Sequence, residues 1–109
     1  MNELSWTLER TPGRVVVSVA GALTVSTAPK LQDALVPLLA DADVTLDLTE
    51  LAFVDSSGLT VFIAAYKAGV RHGTTATLSH VPDFLARVLR VTGLGTLLPT
   101  SDEVGPPAR

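Results

Sequence analysis

The 109-residue sequence contains no cysteine. That excludes disulfides, thiolate nucleophiles and zinc–cysteine sites, and it fits a reducing compartment. Charge is sparse, at 17% of residues, and slightly acidic, with a net charge of −3. The cations Lys30, Lys67, Arg71, Arg87 and Arg90 are scattered, so the basic stripe of a nucleic-acid binder is missing. No apolar run approaches the ~20 residues that cross a bilayer, and direct membrane insertion is not expected. The opening MNELSWTLER lacks the basic-then-apolar pattern of a secretory signal, so the expected location is cytoplasmic. Only two histidines occur, His72 and His80. Two lone histidines offer no clustered ligand set, so no metal or other cofactor is expected. Trp6 and Tyr66, the sole Trp and Tyr, read as packing residues.

What remains is 47% hydrophobic, enough for a packed core and incompatible with a disordered chain. The length predicts one domain. Leu4 to Glu9 alternates apolar and polar residues, as a half-buried strand does. Thr11-Pro12-Gly13 supplies a turn, and the VVV-rich stretch Arg14 to Ala20 is a second strand, pairing as a hairpin. Ser26 and Thr27 are helix-cap types, with Pro29 in the first turn and Ala28, Leu31, Leu35, Leu38 and Leu39 at helical spacing. Pro37 predicts a kink or a helix near its end. Val44 to Leu48 is strand-like, and a short loop is expected after it. Leu59, Phe62, Ile63, Tyr66 and Val70 form one helical stripe, read as inward, closed by Gly73. Thr74 to Leu78 is strand-like. Pro82 opens a third helix, with Phe84, Leu85, Val88 and Leu89 inward and Gly93 as its stop. Leu97-Leu98 is a candidate last strand. The order ββαβαβα plus a short strand predicts an α/β fold, a mixed four- to five-stranded sheet with helices packed on it. Residues 101–109 (SDEVGPPAR) are expected to be a flexible C-terminal tail.

The chemistry concentrates in Asp55-Ser56-Ser57-Gly58, which leads from the third strand into the second helix. A helix N-terminus carries unsatisfied N–H donors and about half a positive charge. Asp55 or Ser56 could simply cap it. Equally, an exposed hydroxyl at this position suits phosphate chemistry. A hydrolase triad with His72 or His80 is not expected: His72 lies on the order of 20 Å along the helix from Ser56, and His80 has no motif around it. No catalytic residue is assigned.

The run VTLDLTELAFVDSSGLTVFIAAYKAG resembles the central signature of the STAS family, shared by sulphate transporters and bacterial anti-sigma factor antagonists. The resemblance covers roughly residues 4 to 100, including PDFLARVLRVTGLGTLLP near the end, and implies a single STAS domain over 1–100. It implies that Ser56 is the phosphorylated serine, and that Asp55, Ser57, Gly58 and Leu59 belong to the partner-binding surface. Gly21-Ala22-Leu23-Thr24 sits where the family places Gly-Glu-Leu-Asp, which adds Gly21, Ala22 and Thr24 to that surface, here without either acid. The implied activity is binding, not catalysis. An anti-sigma factor with serine-kinase activity would be bound and would end the interaction by phosphorylating Ser56, and a PP2C-type phosphatase would restore it. The alternative is an accessory STAS subunit of an ABC-type lipid transporter, favoured by the missing acids and the short tail.

Overall fold

A computed structural model of the chain describes residues 3–101. The hairpin comes first: β1 (Ser5–Thr11) and β2 (Arg14–Leu23) pair antiparallel from Ser5↔Ala20 to Thr11↔Arg14. Pro12 and Gly13 make the two-residue turn. Proline pre-sets the first corner and Gly13, at φ +78°, takes the left-handed second one. Then follow α1 (Ala28–Leu39), β3 (Asp43–Val54), α2 (Ser56–His72), β4 (Ala76–Ser79), α3 (Asp83–Thr92), a 3-10 turn (Leu94–Thr96) and β5 (Thr100–Ser101).

The sheet order is β1-β2-β3-β4-β5, with β2 to β5 all parallel. Each crossover therefore steps one place in the same direction. Right-handed crossovers then put all three helices on one face of the sheet. Val15, Val17 and Val19 of β2, with Val44, Leu46 and Leu48 of β3, bury against Leu31, Leu35 and Leu39 of α1 and Phe62 of α2 in one core. Ser18, Thr7 and Glu9, out of phase with those valines, stay exposed. Among the described residues no helix is long and apolar enough to cross a membrane.

Pro37 stands in the last turn of α1, which ends at Leu39; of the two expected outcomes, the early end is the one found. Other details depart from the sequence reading. Strand β3 does not stop at Leu48 but runs to Val54. Five steps along β2, Ser18 to Leu23, match seven along β3, Asp47 to Val54. Such bulges break the two-residue period that marks a strand. The Asp47 carboxylate adds to the disguise by accepting from the Thr49 N–H (3.0 Å) and hydroxyl (2.6 Å), a turn-like motif.

Helix α2 is also rotated from the expected stripe. Its buried residues are Gly58, Val61, Phe62, Ala65, Ala68 and Gly69. Ile63 and Tyr66 lie on the flank, and Val70 is 66% exposed. Beside Val61 and Phe62 the inner face is made of small residues, and Gly69 is required by the turn that ends α2: a Cβ there would lie 2.6 Å from the Thr74 carbonyl oxygen. In α3, Leu85 and Leu89 are buried while Phe84 is exposed. The last strand is Thr100–Ser101, not Leu97-Leu98. Leu98 instead buries its side chain in the core, and the Leu78 N–H reaches the Pro99 carbonyl at 2.9 Å. Ser101, assigned to the tail by sequence, therefore pairs with Ser79; the rest of that tail, 102–109, lies outside the described residues.

Candidate functional site

Strand β3 delivers the chain directly into α2. Asp55 is the N-cap, in extended conformation, and its carboxylate accepts from the N–H groups of Ser57 (2.8 Å) and Gly58 (3.1 Å). Its own N–H donates to the Leu23 carbonyl at 3.1 Å, locking the start of α2 to the end of β2. This is the capping role the sequence allowed for Asp55, and it satisfies two of the helix's four orphan donors.

Ser56 is then the first residue of the helix. It is exposed, and among the described residues its hydroxyl makes no hydrogen bond. Ser57 is half-buried and its carbonyl accepts from the Thr60 hydroxyl at 2.6 Å. Gly58 is buried beneath them. A Cβ there would meet the Leu23 carbonyl oxygen at 2.8 Å and the side chains of Leu23 and Val54 at 2.9 Å. Gly58 thus allows α2 to approach β2. Leu59 is half-buried and packs on the core.

The second predicted segment reaches the same end of the sheet. Ala22 and Leu23 pair with Phe53 and Val54, so Gly21 to Thr24 adjoins Asp55. Gly21 has φ +103°, and a Cβ would strike the Glu3 carbonyl; its role is conformational. Thr24 is tied up locally, its hydroxyl accepting from the Ser26 N–H at 3.2 Å and its N–H donating to the Thr27 hydroxyl at 2.9 Å. Thr27 in turn donates to the Ala22 carbonyl at 2.8 Å. It fixes this loop, and sequence reading saw it only as a helix cap. Ala22 and Thr24 are half-buried.

Two further residues escaped the sequence reading. Val25 is 68% exposed and Phe53 is 50% exposed, both at this end of the sheet. Val25, Pro29, Gln32, Asp33, Ser57 and Thr60 line an open groove of about 340 Å³ between the starts of α1 and α2. The surface near Ser56 is therefore partly apolar, with Asp33 and Asp55 as its acids. Exposure of Phe53 is legible only once β3 is known to extend that far. His72 ends α2, opposite Ser56, and His80 faces Asp47 (Nδ1 to Oδ1 3.7 Å); neither forms a pair with Ser56.

Comparison with known proteins agrees with this architecture. The family model described as "Mlab, STAS domain" matches residues 6–99. The anti-sigma-B factor antagonist of Bacillus subtilis (strain 168) is 33% identical over 88 residues, covering 80% of this chain and 81% of that protein. The crystal structure of an anti-sigma factor antagonist from Mycobacterium paratuberculosis superposes with a TM-score of 0.78 at 26% identity, covering 94% of this chain and 88% of that one. The Bacillus cell fate determinant SpoIIAA in its phosphorylated form shares the fold, with a TM-score of 0.72 at 18% identity over 91% of this chain and 93% of that chain. By sequence and by fold, the chain belongs to the STAS domain family.

Proposed function

We propose that this protein is an anti-sigma factor antagonist of the cytoplasm that acts by binding, not catalysis. Its partner is an anti-sigma factor with serine-kinase activity, and phosphorylation of Ser56 ends the interaction. The observation that carries this reading is the Ser56 hydroxyl: exposed, free of hydrogen bonds among the described residues, and held at the first turn of α2 by the Asp55 cap. The similarity to anti-sigma-B factor antagonists supports the choice of partner.

In the kinase step, Ser56 Oγ bonds to the γ-phosphorus of ATP, the bond to ADP breaks, and the hydroxyl proton passes to a base on the kinase. The helix N-terminus accommodates the new charge, so the domain stays folded. The partner surface, matched to a neutral serine beside the Asp55 carboxylate, meets about −1.5 to −2 further charges instead. A PP2C-type phosphatase returns the serine. Asp55 and Ser57 flank the contact, and Ala22 and Thr24 extend it.

The uncharged Ala22–Thr24 loop favours a second reading, an accessory subunit of an ABC-type lipid transporter. Incubation with the cognate kinase and ATP, followed by mass-spectrometric site mapping, separates the two. The antagonist reading expects one phosphate on Ser56, absent from Ser56→Ala and retained in Ser57→Ala. No phosphate on Ser56, together with co-purification of transporter subunits, would establish the second reading.

A further inference from the structure

The two edges of the sheet differ. Strand β5 is two residues long, whereas β1 has seven, with no proline inside it and an uninterrupted register to β2. Among the described residues nothing pairs with the outer edge of β1. Such a long, regular edge is a template for another strand.

Its side chains make it selective. Trp6, Leu8 and Arg10 stand opposite Val19, Val17 and Val15, and directly opposed residues share a face. These three therefore lie on the core-facing side of the sheet. The paired valines are buried, yet Leu8 is 46% exposed. Leu8 is a core-face leucine that the described residues leave half uncovered.

We infer that β1 pairs antiparallel with β1 of a second copy, about a two-fold axis at Leu8, to give a continuous ten-stranded sheet. Leu8 is the centre of the seven-residue strand, so this is the register that pairs its full length. It sets Leu8 against Leu8, Trp6 against Arg10, Thr7 against Glu9 and Ser5 against Thr11. The leucines cover each other, the guanidinium lies beside the indole in a cation–π pair, and no like charges oppose. A shift to a Glu9 centre would place Glu9 against Glu9, and a Thr7 centre would shorten the ladder. Because the strands run oppositely, the two Ser56 sites fall at opposite ends of the joined sheet, and both remain free. One edge-to-edge ladder is a small interface, so the dimer belongs to the weak, concentration-dependent class.

The absence of cysteine provides a clean test. Leu8→Cys, Thr7→Cys and Thr60→Cys are oxidised at high protein concentration and resolved on non-reducing gels. Leu8→Cys is expected to give the disulfide dimer fastest. In parallel, sedimentation equilibrium should show the unmodified chain in a monomer–dimer equilibrium. Leu8→Lys, which opposes two cations, should weaken it by about tenfold or more with unchanged circular dichroism. A unmodified chain that stays monomeric at every concentration overturns the proposal. So does Leu8→Cys cross-linking no faster than Thr60→Cys. Fastest cross-linking by Thr7→Cys overturns the register.

Discussion

Replacing Asp55 with alanine removes the acceptor for two N–H groups at the start of α2, with Ser57 at 2.8 Å and Gly58 at 3.1 Å. The two losses are unequal. The Gly58 N–H also reaches the Asp55 backbone carbonyl at 2.9 Å, and alanine keeps that carbonyl. Among the described residues the Ser57 N–H has no such second acceptor, but it lies on the half-exposed rim where water can substitute in part. N-cap replacement by alanine costs about 0.5–2 kcal/mol, and this sharing puts Asp55→Ala near the middle, about 1 kcal/mol. For a domain of this size that lowers Tm by roughly 4–8 °C. Asp55→Asn keeps an acceptor oxygen and loses only the charge at the helix N-terminus, worth about 0.3–1 kcal/mol at most. Urea unfolding should therefore rank the proteins unmodified, Asn, Ala, with similar m-values. If Asp55→Asn is as destabilised as Asp55→Ala, charge rather than hydrogen bonding holds the cap. If Asp55→Ala is as stable as the parent, the cap does not fix the Ser56 turn and the reasoning fails.

Gly58→Ala places a Cβ within 2.9 Å of the Leu23 carbonyl oxygen, the Leu23 side chain and Val54. Overpacking of about 1–3 kcal/mol should exceed the helix-propensity gain of about 1 kcal/mol or less, and a raised thermal midpoint would contradict the tight approach of α2 to β2. Phe62→Ala should lose about 3–5 kcal/mol, as large cavities in cores do. Val70→Ala should stay within about 0.5 kcal/mol, as surface changes do. Chemical denaturation in the reverse order would mean the phase of α2 is wrong.

The sequence made the fold's order plain because its strongest signals are local. Pro12-Gly13, the β-branched run of β2, and the stops at Gly73 and Gly93 each depend on a few neighbouring residues. The cap at Asp55 was legible for the same reason. What escaped depends on packing. The bulges of β3 reflect pairing with β2, which no window along one strand contains, and they concealed Phe53 as a strand residue at the site's edge. The phase of α2 differs from the apolar stripe because Val70 and Ile63 are large and apolar, whereas the inner face carries, beside Val61 and Phe62, the small Gly58, Ala65, Ala68 and Gly69. Smallness was the signal there. Gly21 is required by a positive φ and Gly58 by a close approach, and neither need shows in the sequence alone. Thr27 became visible as the loop's anchor only through its bonds to Ala22 and Thr24.

The central claim is that phosphate on Ser56 blocks partner binding locally. An unbalanced unit charge about 4 Å from a like charge costs on the order of 4 kcal/mol at an effective dielectric near 20. Even ~3 kcal/mol after screening weakens binding by more than about 100-fold. The decisive measurement is calorimetric titration of the cognate anti-sigma kinase with the unphosphorylated protein and with protein phosphorylated stoichiometrically on Ser56. Both forms should show the same circular dichroism and similar thermal midpoints. The account predicts tight binding by the first form and a loss of about 100-fold or more by the second; equal affinity of the two forms would contradict it.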